Sequence, residues 1–388
     1  VVILRGHQAN PWELKPWQEP ALASRFDVSY LRSSRGWFDA SSLTLRGERA
    51  WTLRDLLPPG RLGDLAVRLP GDRYLGLARS LRGADIVHTQ ELGYWYSMQA
   101  ARLKRRLGFR MVTTVWETIP FLGAYRNFRT RPYRELTLQE TDLFLAATER
   151  AKTSLLLEGA AEDRIRVCPP GVETDRFSAL ARSPAAHEDS PALRPMVLSP
   201  GRLVWEKGHQ DVMRAVALLR RGLVGGEPLE VSLCIVGSGP EERRLRSYAS
   251  ELGIADLIEL RGFIPYEEMP QTYGRATCVV LASLPTWSWE EQFGMVLAEA
   301  MAAGVPILAS SSGAIPEVTG AAVRHFVPGD WPDLACCIAD VVGGRIEPGS
   351  VPGRDYSTAA AAECLAGAYE ELLGSKAGTA RLPANSAS

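Results

Sequence analysis

Apolar and polar positions along this chain follow two alternating rhythms. Short runs rich in Val, Ile and Leu, such as "VVIL", "ADIVHT", "RMVTTV" and "TCVVLAS", are separated by longer stretches with helical spacing. A strand buried on both faces has no polar side to alternate with, so this pattern predicts βα units and parallel sheets. In the first half, strands are predicted at Val1–Leu4, Phe26–Tyr30, Ala84–Thr89, Arg110–Val115, Asp142–Ala147 and Ile165–Cys168, with a helix over Gly93–Leu107. "SALARSPAAHEDSPALRP", residues 178–195, carries no apolar period and is rich in Ser, Pro and Ala, as a linker would be. The alternation then restarts with "MVLSPGRL", a helix from Gly208, "LEVSLCIVGSGP", "LIELRGF", "TCVVLAS", "VPILASS" and "VRHFVP".

The expected fold class is therefore α/β, with two doubly wound domains. Residues 1–180 would form the first, 181–195 the linker and 196–350 the second. A helix is predicted over 356–373 and a disordered tail over 375–388. Two such sheets would leave a cleft at the carboxyl ends of their strands, where ligands bind in folds of this kind.

Composition narrows the function. At 388 residues the chain exceeds one ordinary core. A formal net charge of -1 argues against a nucleic-acid binder. Six cysteines in so long a chain, with no paired C-x-x-C, suggest neither a disulfide framework nor zinc, and fit a reducing cytoplasm. No apolar run approaches the ~20 residues that cross a bilayer. "VVILRG" is expected to be a first strand and not a signal peptide, with a few residues missing before it.

Candidate chemistry gathers in the second half. "EEQFGMVLAEA", residues 290–300, sets Glu291 and Glu299 eight positions apart around a Phe-Gly step. Surface helices carry Glu freely, so the pair alone defines no site. However, a helix is predicted from about Phe293 or Gly294, directly after a strand and loop, with Glu291 before its first turn. Eight residues of helix span roughly 12 Å, about the reach from a sugar ring across a diphosphate to a ribose. The two acids then suit hydroxyls at opposite ends of a nucleotide sugar, and the amides of Phe293, Gly294 and Met295 suit the phosphates. "SPGRLVWEKGHQD" adds Arg202 and Lys207 in a loop that runs into a helix, an arrangement suited to anions. "IVGSGP" carries Gly237 and Gly239 but lacks the third glycine of a dinucleotide fingerprint, so it reads as a tight strand-to-helix turn. "RGFIP" places Gly262 at a strand end, with the Phe263 and Ile264 backbone open to a flat ligand.

"GRLVWEKG", "IVGSGP", "RGFIP" and "EEQFGMVLAEAMAAGVPILASSSGAIPEV", in this order and spacing, resemble the donor half of the retaining glycosyltransferases of family 4, which have the GT-B fold. "CPPGVETDRF" is similar to that family's segment before the interdomain linker. The resemblance covers about residues 140–345. It implies that Glu291 meets donor-sugar hydroxyls, Glu299 the ribose, Arg202 and Lys207 the diphosphate, and the backbone near Phe263 the base. It also implies that the final helix crosses back onto the first domain, and that sugar passes from a UDP- or GDP-linked donor to an acceptor hydroxyl with retained configuration. No metal or other cofactor is expected, because amides and cations can stabilise the leaving diphosphate. The alternatives are a same-fold enzyme that epimerises or hydrolyses a nucleotide sugar without an acceptor, and a nucleotide-sugar-binding pseudoenzyme.

The first half departs from the family. Gly6 stands alone where many relatives have a glycine pair, and Trp116 and Glu117 occupy the place of a sugar-facing His. His7 and His88 are candidate substitutes. Finally, "FLGAYRNFRTRPYRE" interleaves Arg126, Arg129, Arg131 and Arg134 with Phe121, Tyr125, Phe128 and Tyr133, and Pro132 is expected to break any helix there. The expected role is a basic, aromatic lip for an anionic or lipid-linked acceptor, with peripheral membrane contact.

Overall fold

The computed structural model describes residues 1–7, 9–36, 38–58, 60–67, 71–122, 131–181, 194–345 and 354–379. The chain forms two compact units, one of Val1–Gly171 together with the segment from Ser357 onward, the other of Val172–Tyr356.

In the first unit, seven strands form one parallel sheet: β1 (Val2–Gly6), β2 (Ser29–Ser33), β3 (Arg46–Ala50), β4 (Ile86–Gln90), β5 (Arg110–Val115), β6 (Leu143–Ala146) and β7 (Ile165–Val167). Their order is β3-β2-β1-β4-β5-β6-β7, so the winding reverses between β1 and β4. Apolar runs make the central strands because both faces are covered: Ile3 packs with Trp17 and Leu365 on one side, and Leu4 with Tyr96 on the other. β3 has no counterpart among the predicted strands. It is a charged edge strand, "RGERA", mostly exposed, and such edges resist pairing with other chains. Gly47 is needed there, since a Cβ would lie 2.5 Å from the ring of its cross-strand neighbour Tyr30.

The last helix, Thr358–Thr379, closes this unit's core. Ala362, Leu365, Ala366, Tyr369 and Leu372 pack with Ile3, Leu14 and Leu22. Buried polar groups lock the contact. Trp17 Nε1 donates to the Tyr369 hydroxyl at 2.8 Å, and that hydroxyl meets His88 Nδ1 at 2.5 Å. The helix extends past the expected 356–373, so residues 375–379 of the expected tail are helical; 380–388 lie outside the described residues.

The second unit holds a six-stranded parallel sheet: β8 (Met196–Pro200), β9 (Ser232–Val236), β10 (Ile258–Gly262), β11 (Cys278–Leu281), β12 (Ile307–Ser310) and β13 (Arg324–Phe326), in the order β10-β9-β8-β11-β12-β13. Here the winding reverses between β8 and β11. The helix Thr174–Ala181 belongs to this unit: fully buried Phe177 packs with Leu198, Tyr273 and Leu297. The division between units thus falls at Gly171, before the stretch the sequence marks as a linker, because an anchor of this size is worth about 3–5 kcal/mol. Most of the 181–195 stretch lies outside the described residues.

Candidate functional site

In doubly wound sheets, ligands bind beyond the carboxyl ends of the strands flanking the reversal. In the second unit that places the loops after β8 and β11 in view, and both carry the expected charges. After β8 the chain turns at Gly201, exposes Arg202, and makes a short helical turn through Lys207. Gly208, at φ 70°, then starts the helix His209–Arg220, and a Cβ there would meet the Ala282 carbonyl at 1.9 Å. The close approach of this turn to the end of β11 therefore depends on glycine.

After β11 comes the loop that ends at Gly294, which caps the helix Met295–Ala302 in the left-handed region at φ 80°. The helix thus starts where the sequence suggests, and the first-turn amides are those of Met295 and its neighbours. Glu291 is buried before it. Lys207 Nζ lies 2.6 Å from Glu291 Oε2, and Ser283 Oγ donates to the same oxygen at 2.7 Å. Lys207 also sits 5.0 Å from the Trp289 ring centroid. The Glu291 carbonyl accepts from Ala314 N at 2.9 Å, so the backbone is fixed as firmly as the side chain.

Glu299 is buried in the second turn. Tyr273 donates to its Oε2 at 2.8 Å, and burial, partly offset by that bond, pushes its carboxyl up to about 7. Each acid therefore has one oxygen held by protein donors, while its Oε1 takes part in no hydrogen bond among the described residues.

Sequence reasoning missed two positioning groups. His209 Nε2 lies 3.1 Å from the Arg202 carbonyl and Nδ1 lies 2.8 Å from Ser199 Oγ. A carbonyl only accepts, so Nε2 carries the proton and Nδ1 accepts from serine. Burial, reinforced by Lys207, holds this imidazole down at about 4 against its backbone bonds, and the neutral ring pins the Arg202 loop. Ser283, the other, had no signal beyond its place after a strand. Gly237 makes the expected tight turn, since a Cβ there would lie 1.9 Å from the Gly201 carbonyl. Gly262 ends β10 at φ 70°, and Phe263 is 66 % exposed. The Ile264 side chain is buried against Phe177 and Tyr273, so only its backbone could meet a base. Phe293 is likewise buried, edge-on to Tyr356 at 5.2 Å.

In the first unit the candidate residues are held by bonds within the fold. His88 is fully buried between Tyr369 and Thr114 as a core residue, and burial drives its imidazole well below the usual range. His7 is bonded to Asp72 and, at 2.8 Å, to the Arg35 carbonyl; those bonds outweigh burial and raise its imidazole. Gly6, at φ 58°, donates to the Tyr74 hydroxyl at 2.9 Å. Trp116 N donates to Glu91 at 2.8 Å, and Ile119 N to Glu117 at 2.9 Å. Pro132 does not break a helix but opens one, Arg131–Glu140, at a position where its missing N–H costs nothing. Arg134 on that helix is buried in an ion pair with Glu158, and Arg131 pairs with Glu135 at 2.8 Å. Arg126 and Arg129 lie outside the described residues. Of the two arginines that can be placed, Arg134 is thus committed to the fold and Arg131 stays exposed.

Among the described residues, no group of three or more His, Cys, Asp or Glu could hold a metal, and no helix is long and apolar enough to cross a membrane.

The second unit thus joins a sheet reversal to a cation loop and a buried, paired carboxylate. Residues 185–348 match the glycosyl transferases group 1 family and residues 21–176 match Glycosyltransferase Family 4. The chain is 32% identical over 320 residues to the D-inositol 3-phosphate glycosyltransferase of Corynebacterium jeikeium, covering 74% of this chain and 72% of that one. It is 29% identical over 263 residues to a GDP-mannose-dependent alpha-(1-6)-phosphatidylinositol monomannoside mannosyltransferase of Mycobacterium tuberculosis, covering 66% of this chain and 58% of the relative. HepE of Anabaena, solved in complex with UDP, superimposes with a TM-score of 0.69 at 17% identity over 97% of this chain and 99% of that chain. The chain belongs to the glycosyltransferases of family 4 and is a glycosyltransferase with the GT-B fold, using a nucleoside-diphosphate sugar as donor.

Proposed function

We propose that the cluster of Lys207, Glu291 and Ser283 is the sugar and diphosphate end of the donor site, and that Glu299 takes the ribose. The observation that carries this reading is the half-satisfied state of both acids. Protein donors hold one carboxylate oxygen of each in place, and Oε1 is left for a ligand hydroxyl. Lys207 keeps further protons for a phosphate, and exposed Arg202 has no side-chain partner among the described residues. Together with the first-turn amides after Gly294, these donors face charge that grows on the leaving diphosphate, and need little reorganisation to meet it. A diphosphate oxygen then takes the acceptor proton on the face the leaving group vacates, which retains the anomeric configuration.

The donor we propose is UDP- or GDP-linked, GDP being named for the mannosyltransferase relative and UDP being bound in the HepE structure, and the acceptor carries an anionic group. The test is nucleotide release from labelled UDP- and GDP-sugars, with and without acceptor extract. Acceptor-dependent release supports transfer. Release without acceptor would point to hydrolysis, and its complete absence with every donor would overturn the reading.

A further inference from the structure

The first unit contains a cavity of about 40 Å³, lined by Arg5, Glu13, Trp17, Thr114, Trp116 and Ala147 among others. By this measure a single water needs about 10–15 Å³, so the space suits a group of a few heavy atoms. Arg5 comes from the carboxyl end of β1, at the sheet reversal, and is only 3% exposed. Its Nε has no hydrogen-bond partner, and Nη1 reaches only the Leu4 carbonyl at 3.3 Å. Among the described residues it is in no ion pair. A guanidinium this deeply buried and this poorly satisfied destabilises the fold unless something else neutralises it. It also lies over the face of Trp17, 5.3 Å from the ring centroid.

A second donor faces the same space. Trp17 Nε1 can only donate, so the Tyr369 oxygen accepts from it and the Tyr369 proton goes to His88 Nδ1. His88 is held neutral by burial, so its remaining proton is on Nε2, which donates to Thr114 Oγ1 at 2.7 Å. The Thr114 hydroxyl proton is then left over, and Thr114 lines the cavity. Glu13, which also lines the wall, accepts from Asn10 at 3.1 Å, and its carboxyl is raised by burial, with Arg5 and Asn10 opposing. Arg5 and Thr114 thus present donors to the space beside Glu13.

We infer that this cavity is an anion subsite that receives a phosphate group, with Arg5 and Thr114 donating to it, and hence that the acceptor is a phosphorylated compound. The inference rests on the transferase reading above but on residues of the other unit. Arginine suits phosphate because its planar fork can give two parallel bonds.

The test uses the full chain labelled with ¹⁵N-tryptophan, with indole signals assigned by single Trp→Phe replacements. Inorganic phosphate should shift the Trp17 and Trp116 signals saturably. Arg5→Gln should weaken that response at least tenfold, as should Ala147→Leu, which fills the cavity and leaves Arg5 intact. UDP should still shift Trp289 in both variants, which shows that they fold and that the donor end is whole. An absent Trp116 response to phosphate, or one unchanged in Arg5→Gln or Ala147→Leu, overturns the subsite. An absent Trp289 response to UDP and GDP instead overturns the donor reading. Glycerol 3-phosphate and vesicles containing phosphatidylinositol, titrated separately, distinguish a free phosphorylated polyol from a lipid headgroup.

Discussion

The strand ends at the two sheet reversals are finished to different degrees. Beyond β8 and β11, Lys207 and Ser283 converge on one oxygen of Glu291, and His209 pins the loop that carries Arg202. Beyond β1 and β4, Arg5 is buried with no ion pair among the described residues, and Glu91 holds a left-handed backbone at φ 57°. Burial, opposed by the Trp116 amide, pushes the Glu91 carboxyl up to about 8. Both ends share one topology, so the fold does not make the difference. A diphosphate brings a fixed charge pattern, and a site for it can be assembled in advance from paired groups. At the other end Arg5 is in no ion pair among the described residues, as the proposed anion subsite requires.

Breaking the finished end should have the largest effects. Lys207→Ala removes a phosphate donor and strands the buried Glu291, so it should cost ~2–4 kcal/mol of transition-state stabilisation and also lower thermal stability. Arg202→Ala should show a similar kinetic loss with unchanged stability, because its side chain is exposed. Steady-state kinetics beside thermal melts separate the two. Glu291→Gln should reduce turnover about 100-fold while nucleotide affinity, measured by calorimetry, stays near wild type. Equal weakening of nucleotide and nucleotide sugar would mean that Glu291 does not face the sugar.

A smaller effect concerns protonation at Glu299. With its carboxyl near 7, the acid becomes a full acceptor for ribose hydroxyls only as pH rises through that value. UDP or GDP affinity should rise up to about tenfold between pH 6 and 8, and Glu299→Gln should flatten the profile.

The smallest effect belongs to the unfinished end. The folded-state carboxyl of Glu91 is raised above its unfolded value, so the folded state binds the extra proton and stability falls as pH rises from about 4.5 towards 8. Glu91→Gln removes that loss. Its melting temperature relative to wild type should climb between pH 4 and pH 8. A constant difference would mean that Glu91 is ionised in the fold.

Legibility in the sequence followed the same divide. β5 was predicted at Arg110–Val115 and stands there, because an apolar run between two helices has no other way to be buried. The start of the helix after Gly294 was readable from its Phe-Gly step, and the proposed donor residues from their spacing. β3 escapes because an edge strand built of charges mimics a loop, and the Arg131–Glu140 helix because a proline inside a run reads as a breaker while Pro132 opens this helix. Arg5 did leave a signal, a cation closing the run "VVIL", but nothing local tells a solvated strand end from a buried one. His88 misled for the same reason: its partner Tyr369 lies 281 residues away.

That long-range partnership sets an order of events during synthesis. The first unit leaves the ribosome first, yet Tyr369, which satisfies both Trp17 and His88, arrives only after the whole second unit has been translated. At roughly 5–20 residues per second the wait is on the order of ten seconds or more. Throughout it the nascent amino-terminal sheet carries a bare apolar flank and unmatched buried donors. The second unit needs no later segment and can mature first, so the part made last completes the part begun first.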